Sequence, residues 1–144
     1  MDRFRIYFAG AIRGGRGDRG LYRGLIDHLR SRGEVLTEHV GDPSLSEDGE
    51  EGLSDRAIYD RDVGWIVGAS VVIAEVTTPS LGVGYEIATA ESHRKPTLCL
   101  FRPSAGVRLS AMIEGSHRSV VRPYETLEEA VAAVDEFLAS VLPR

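Results

Sequence analysis

Short apolar segments alternate with segments of helical period along the chain, and this alternation is the strongest constraint on its fold. The apolar segments have the length and the residue types of buried strands. Strands that alternate with helices form a parallel sheet with helices packed on both faces. The sequence therefore predicts a three-layer α/β fold, with a five-stranded parallel sheet in the flavodoxin-like order 2-1-3-4-5. We expect strands at residues 4–8, 35–40, 71–76, 97–101 and, more weakly, 119–121.

Polar residues and glycines indicate where the helices begin and end. Asp18 can cap a first helix, for which Gly33 supplies a left-handed stop. Ser54 can cap a second helix, in which Asp62 shares an otherwise apolar face with Trp65. Further helices are expected at residues 82–93 and 127–141, and a polar surface loop at residues 41–52.

Composition limits the number of domains and the class of ligand. The chain has 144 residues, 42% of them hydrophobic, which suits one domain over residues 1–144. Its net charge of −5 provides no basic field for a DNA or RNA polymer. The single cysteine, Cys99, excludes an internal disulfide and a thiolate metal cluster, and no metal or cofactor is expected. No segment has the roughly 18 apolar residues of a membrane span, so we expect a cytoplasmic protein.

Sheets of this order bind ligands at the carboxyl ends of strands 1 and 3, where the winding reverses. The loop after strand 1 combines glycines, which expose backbone N–H groups, with two arginines, whose forked donors suit a phosphate. The loop matches neither common phosphate-loop pattern, so a glycine-rich turn with solvated arginines explains it equally well. The residues concerned are Gly10, Arg13, Gly14, Gly15 and Arg16.

The loop after strand 3 leads into a helix whose free N–H groups face the same crevice. We expect Glu86 in the first turn of that helix, where a carboxylate either complements the helix dipole or acts on a ligand. Asp62 is the candidate for a second carboxylate, and an interhelical hydrogen bond would explain it equally well. The residues alone leave these alternatives open.

Six segments of the sequence resemble the 2′-deoxynucleoside 5′-phosphate N-hydrolases, which are relatives of the nucleoside 2-deoxyribosyltransferases. The resemblance spans almost the whole chain, and its most specific segment is Pro79-Ser80-Leu81-Gly82-Val83-Gly84-Tyr85-Glu86. The other segments are residues 7–16, 36–40, 74–77, 98–103 and 109–113.

The resemblance implies a reaction and assigns residues to it. Glu86 would attack C1′ to form a glycosyl-enzyme, which water then hydrolyses to 2-deoxyribose 5-phosphate. Asp62 would donate a proton to the departing base, and Tyr7 would position Glu86 and the sugar. The 5′-phosphate would be bound by Arg13, Gly14, Ser80 and Gly82, in a site that also contains Gly10, Gly15 and Arg16. The base would be bordered by Ile12 and His39.

The resemblance also implies a homodimer, in which Ser110, together with Ala111 and Met112, reaches into the partner's site. An ordinary apolar turn packed within one subunit would explain residues 109–113 as well. One departure concerns Ala11, because the family often has serine there, so affinity or base preference is expected to differ.

Other functions remain open for the same crevice. A ribonucleotide hydrolase is one, although Tyr7 beneath the sugar would leave little room for a 2′-hydroxyl. Deoxyribosyl transfer to a second base is another, and a non-catalytic nucleotide sensor is a third. The sequence does not identify the base.

Overall fold

The structure is a computed structural model that describes residues 3–11, 18–37 and 52–142. Strands and helices alternate in it as the sequence pattern predicts. The strands are β1 (Arg5–Gly10), β2 (Glu34–Leu36), β3 (Val71–Glu75), β4 (Thr97–Phe101) and β5 (Ser119–Pro123). The helices are α1 (Asp18–Arg30), α2 (Asp55–Gly68), α3 (Leu81–Ser92), α4 (Ala111–Glu114) and α5 (Leu127–Val141), with a 3₁₀ turn at Pro103–Ala105.

The five strands form one sheet in the order β2-β1-β3-β4-β5, and every neighbouring pair is parallel. The predicted fold class and strand order are therefore confirmed. β1 is the second strand across the sheet and is buried from Ile6 to its end. Its last residue, Gly10, lies opposite Glu75, the last residue of β3. The carboxyl ends of these two strands thus meet at one edge, as the predicted site requires.

Alternate residues of β1 face the two sides of the sheet and divide the core into two layers. Ile6 and Phe8 pack on the side of α1 and α5. Tyr7 and Ala9 pack on the other side, where α2 contributes Ile66 and α3 contributes Val83 and Ile87. This alternation directs Tyr7 toward the same two helices that carry Asp62 and Glu86.

Most predicted boundaries agree with the structure to within one or two residues. Ser54 does cap α2, because its Oγ accepts a hydrogen bond from the N–H of Ala57 at 3.1 Å. The second strand, predicted at residues 35–40, covers Glu34–Leu36, and its predicted end lies outside the described residues. The 3₁₀ turn and α4 were not predicted, because a single helical turn has no period to recognise. Residues 41–51 of the predicted loop also lie outside the described part of the chain.

Gly33 does not have the left-handed conformation that the sequence suggested. The positive φ angles at described glycines occur at Gly52 and Gly106, whereas Gly33 donates its N–H to the carbonyl of Leu29 at 3.0 Å. A Cβ atom at Gly33 would lie 2.5 Å from the carbonyl oxygen of Phe4. Glycine is needed here because the backbone passes close to the residue before β1, and not because of its φ angle.

No helix within residues 3–11, 18–37 and 52–142 has the length and apolarity needed to cross a membrane.

Candidate active site

The candidate site lies at the edge where β1 and β3 end, and the structure describes only part of it. Tyr7 and Gly10 come from β1, Asp62 from α2, and Ser80, Gly82 and Glu86 from the segment that follows β3. Six predicted substrate-binding residues lie outside the described residues, namely Ile12, Arg13, Gly14, Gly15, Arg16 and His39.

Glu86 and Tyr7 form the most direct contact between elements in the site. The hydroxyl group of Tyr7, a fully buried residue, donates a hydrogen bond to Oε2 of Glu86 at 2.6 Å. This contact leaves the other carboxyl oxygen, Oε1, directed toward Gly82, since a Cβ atom on that glycine would lie 3.9 Å from it. The carboxyl group of Glu86 is therefore held through Oε2 by Tyr7 of β1.

Glu86 lies in the second turn of α3 and not in the first, because α3 begins at Leu81. The first turn of α3 carries no acidic residue. The effect of a helix dipole on a charge falls off within the first turn. Complementation of the helix dipole therefore explains a carboxylate at position 86 less well than the sequence suggested.

Burial raises the pKa of Glu86 to about 7. The hydrogen bond from Tyr7 lowers the pKa, because it favours the ionised carboxylate, and the charge of Asp62 raises it again. A partly buried carboxyl group whose pKa lies near neutrality, and which responds to the charge of a second carboxylate, is typical of a catalytic site.

Asp62 is buried on α2, and its charge acts on Glu86 of the neighbouring helix α3. One carboxyl oxygen, Oδ1, accepts a hydrogen bond from Nε of Arg61 at 3.0 Å. The Arg61 guanidinium lies over the ring of Trp65, with Cζ 4.6 Å from the ring centroid. The partner of Asp62 seen here comes from its own helix, so the interhelical hydrogen bond considered from the sequence is not the contact that holds it.

Ser80 and Gly82 lie at the N-terminus of α3, beside Glu86. Ser80 is the N-cap of α3, and its Oγ accepts a hydrogen bond from the N–H of Val83 at 3.2 Å. A Cβ atom on Gly82 would lie 3.8 Å from that Oγ. The two residues predicted to bind phosphate are thus adjacent in space, at a helix end that carries partial positive charge.

Ser110, Ala111 and Met112 lie across a groove from the start of α3. Ser110 caps α4, because its Oγ accepts a hydrogen bond from the N–H of Met112 at 3.2 Å. The groove has a volume of about 680 Å³, and Ser80 and Ser110 line it together with apolar side chains of α3 and residues 109–113. Met112 and Leu81 are among the most exposed apolar residues described, at 83% and 96%. Tyr7, Asp62 and Glu86 do not line this groove.

A buried network at the ends of three strands was not predicted from the sequence. The carboxylate of Glu75 accepts hydrogen bonds from the N–H of Thr77 at 2.7 Å, from the hydroxyl of Thr77 at 2.8 Å and from the hydroxyl of Tyr124. The hydroxyl oxygen of Thr77 accepts in turn from the N–H of Arg102 at 3.0 Å. Burial raises the pKa of Glu75, and these hydrogen bonds oppose the shift. A carboxylate at the end of an apolar strand, two residues before a threonine, was the available signal.

No group of three or more His, Cys, Asp or Glu side chains within the described residues could hold a metal ion. Cys99 is fully buried in β4, and burial raises the pKa of its thiol to about 12.

Comparisons with known proteins identify relatives over nearly the whole chain. A 5-hydroxymethyl-dUMP N-hydrolase of Tetraodon nigroviridis is 49% identical over 140 residues, which cover 94% of this chain and 98% of the relative. A 5-hydroxymethyl-dUMP N-hydrolase of Esox lucius is 55% identical over 113 residues, covering 77% of this chain and 78% of the relative.

A solved structure shares the fold at much lower sequence identity. The Clostridium botulinum CMP N-glycosidase BcmB superposes with a TM-score of 0.69 at 18% identity, covering 92% of this chain and 98% of that one. The family model for nucleoside 2-deoxyribosyltransferase matches residues 6–120. The chain therefore belongs to the nucleoside 2-deoxyribosyltransferase family.

Proposed function

We propose that this protein is an N-glycosyl hydrolase that converts 2′-deoxynucleoside 5′-monophosphates into free base and 2-deoxyribose 5-phosphate. The observation that carries the proposal is the Glu86 carboxyl group, which is held by the phenol of Tyr7 at 2.6 Å and is affected by the charge of Asp62 on the neighbouring helix. The names of the relatives that share about half of its residues support the same reaction.

Glu86 acts as the nucleophile in this proposal. Its carboxylate attacks C1′ of the deoxyribose, so that a C1′–O bond forms while the C1′–N bond to the base breaks. Tyr7 keeps one carboxyl oxygen in place and stabilises the ionised form that attacks. Water then adds its hydroxyl to C1′ as the glycosyl ester bond breaks, which releases the sugar phosphate and regenerates the Glu86 carboxylate, and the remaining proton of the water passes to Asp62.

Asp62 supplies the proton that the departing base needs. The bonding electrons leave with the base nitrogen, and a proton from the Asp62 carboxyl group neutralises them. The active form of the enzyme therefore holds one proton on the Glu86–Asp62 pair, with Glu86 ionised and Asp62 protonated when the C1′–N bond breaks.

The 5′-phosphate binds at the N-terminus of α3, next to Glu86. Ser80 accepts a hydrogen bond as helix cap and still has its own hydroxyl proton to donate to the phosphate. The N–H groups of Leu81 and Gly82, at the start of the helix, add further donors. Gly10, Arg13, Gly14, Gly15 and Arg16 complete the phosphate site, and Ile12 and His39 border the base.

A second copy of the chain covers the apolar groove between α3 and α4. Met112 and Leu81 expose large apolar side chains to water, which is unfavourable and is typical of an interaction surface. Both residues lie at the groove that Ser80 and Ser110 line. In the homodimer, Ser110 of one chain, with Ala111 and Met112, reaches the phosphate site of the other.

The experiment is a panel of purified nucleotides with free base and sugar phosphate as the measured products. The panel contains the four common deoxynucleoside monophosphates, 5-hydroxymethyl-dUMP, CMP and the nucleosides without phosphate. We expect hydrolysis of deoxynucleoside monophosphates, faster with dCMP than with CMP, and loss of activity in Glu86→Ala. Absence of base release from every monophosphate would overturn the proposal, whereas unchanged or tighter nucleotide binding by Glu86→Ala, without hydrolysis in the wild type, would indicate a nucleotide sensor.

Deoxyribosyl transfer is the second candidate, because the matching family model describes a transferase. A glycosyl-enzyme can react with a second base as well as with water. Incorporation of labelled free base into nucleotide, at a rate above that of hydrolysis, would identify the protein as a transferase.

A further inference from the structure

Glu75 is a fully buried carboxylate that the proposed reaction does not use. It ends β3 at the edge of the sheet where the candidate site lies, and it is only 1% exposed. Val71 and Ile73, four and two residues earlier in β3, belong to the core layer of α1 and α5, so the alternation of the strand directs Glu75 to that layer as well. Glu75 therefore lies on the opposite face of the sheet from Tyr7, and its effect on the site has to pass through the backbone.

The Glu75 carboxylate holds Thr77, the residue at which the chain turns away from the sheet. Oε1 accepts a hydrogen bond from the Thr77 N–H at 2.7 Å, and Oε2 accepts one from the Thr77 hydroxyl at 2.8 Å. The same hydroxyl accepts from the N–H of Arg102, which follows β4, at 3.0 Å. The chain bends at residues 77–78, so the first residue of the bend is fixed to the carboxylate and to the segment after β4.

Tyr124 binds the same carboxylate from the end of β5. Its hydroxyl donates to Oε2 of Glu75, its N–H donates to the carbonyl of Phe101 at 3.0 Å, and the residue is 1% exposed. The carboxylate thus accepts from the N–H and the hydroxyl of Thr77 and from the phenol of Tyr124, away from water. Such a group keeps one orientation, because any change would leave a buried donor without its partner.

A short segment connects this contact to the phosphate site. Two residues separate Thr77 from Ser80, the N-cap of α3, and one of them is Pro79, whose ring fixes its φ angle. All four residues of the segment 77–80 line the groove at the start of α3. The position of Thr77 therefore determines where the Ser80 hydroxyl and the first N–H groups of α3 lie.

We propose that Glu75 and Thr77 are positioning residues for the phosphate site, which hold the bend after β3 so that Ser80 and the start of α3 present their donors to the 5′-phosphate. Donors that are already in place bind a phosphate more tightly than donors that must first be ordered. The inference deepens the proposed hydrolase function and rests on it for the identity of the ligand.

Thr77→Val and Thr97→Val form a matched pair that separates positioning from stability. Both threonines are buried and donate through their hydroxyls, but Thr97 begins β4 at the opposite edge of the sheet and donates to the carbonyl of Lys95 at 2.9 Å. Valine keeps the shape and removes the hydroxyl, so both variants should lose stability. We expect KM for a deoxynucleoside monophosphate to rise roughly tenfold in Thr77→Val only, with kcat within about twofold of wild type.

Two further variants test the contact itself. Thr77→Ser restores the hydroxyl and should return KM to within about threefold of wild type. Glu75→Ala should raise KM at least as far as Thr77→Val, and the double variant should add little, because the two residues act as one unit. The threonine series decides the question if Glu75→Ala does not fold. KM that stays unchanged in Thr77→Val, that rises equally in Thr97→Val, or that is fully additive in the double variant would overturn the proposal.

A binding measurement separates this inference from the proposed function. 2-Deoxyribose 5-phosphate, which has no base to release, is added to the protein while the backbone amide resonances of residues 81–83 are followed by NMR, with 2-deoxyribose as the control. We expect these resonances to shift with the phosphate ester only, and its affinity to fall roughly tenfold in Thr77→Val but not in Thr97→Val.

The two proposals can then fail independently. If wild type hydrolyses no nucleotide and the difference in affinity is still observed, the hydrolase proposal fails and the positioning role stands. Resonances that do not respond in wild type, or an affinity that is the same in Thr77→Val, would contradict the positioning role whatever the activity of the enzyme.

Discussion

Glu86 is partly buried in surroundings that favour its neutral form, and its charge therefore acts against folding. Its pKa rises from 4.5 to about 7 in the folded protein, mainly through burial. A raised carboxyl pKa contributes stability below the unfolded value, and this contribution is lost as pH rises through the folded value. The wild-type protein should thus lose stability between about pH 4.5 and pH 7.

Glu86→Gln removes this pH dependence while it keeps an acceptor for Tyr7. We expect the variant to exceed wild type by roughly 2–3 kcal/mol in free energy of unfolding at pH 8, with the difference disappearing near pH 4. Urea unfolding of both proteins at pH 8 and pH 4 measures this difference in free energy of unfolding. Asp60→Asn is the control, because Asp60 is exposed on α2 and its replacement should change stability by about 0.5 kcal/mol or less. An equal difference at both pH values would mean that the charge is not the cause.

The sequence identified Glu86, Asp62 and Tyr7 as candidates. The structure joins Tyr7 to Glu86 by a hydrogen bond, and the charge of Asp62 acts on Glu86. Their catalytic roles remain predictions. Arg61 was not predicted as a site residue because an arginine beside an aspartate is usually a solvated pair. The available signal was Trp65 one helical turn further along α2, over which the guanidinium lies. Glu86 was placed one turn too early, because the sequence did not show that Ser80 would cap the helix.

Ser80 caps α3 and is proposed to bind the phosphate, and a matched pair of variants can separate these two roles. Ser80 caps α3 and Thr126 caps α5 in the same way, each accepting a hydrogen bond from the N–H three residues later. Both Ser80→Ala and Thr126→Ala should lose about 1 kcal/mol of stability. Steady-state kinetics should show a raised KM for the nucleotide in Ser80→Ala only. Equal KM values in the two variants would contradict the phosphate role.

The connection from α1 to β2 depends on a backbone contact at Gly33. Gly33→Ala should destabilise the protein by roughly 1–3 kcal/mol, because its Cβ would lie 2.5 Å from the Phe4 carbonyl oxygen. Gly64→Ala is the counterpart, since nothing lies within 4 Å of a Cβ there and alanine favours the helix. Thermal unfolding should move in opposite directions for the two variants. A shift in the same direction would contradict the steric explanation.

Strand and helix positions followed from hydrophobic period, because a parallel sheet and its covering helices impose different periods on the sequence. The strand order followed from the flavodoxin-like arrangement that suits five alternating strands. Contacts between distant residues did not follow from the hydrophobic period. Tyr124 reaches Glu75 across 49 residues, and only the folded sheet brings β5 beside β4 and so completes this network. The prediction for Gly33 was wrong for the same reason, since its neighbour Phe4 precedes β1 and is far from Gly33 in the sequence.

For the whole molecule, the proposed homodimer determines whether the site is complete. Met112→Glu places a charge on a side chain that is 83% exposed in the single chain, and burial of that charge at an interface would be costly. We expect sedimentation velocity to show that Met112→Glu is monomeric. Its activity should be lower than that of wild type at the same protein concentration. Val67→Glu is the control, because Val67 is also exposed but lies on α2, away from the groove. A dimeric Met112→Glu protein with full activity would contradict the proposal.

A single domain over residues 1–144 stays a prediction. The described part places every strand in one sheet, with core residues on both of its faces.

Trp65 is the sole tryptophan of the sequence, and it lies between the guanidinium of Arg61 and the ring of Tyr7. Indole emission responds to nearby charge and to exclusion of water, so all tryptophan fluorescence from this protein originates beside the crevice. Nucleotide entry can therefore be followed optically without an attached dye. In an inactive Glu86 variant, the same signal would give binding curves for each nucleotide of the panel and rank the bases by affinity.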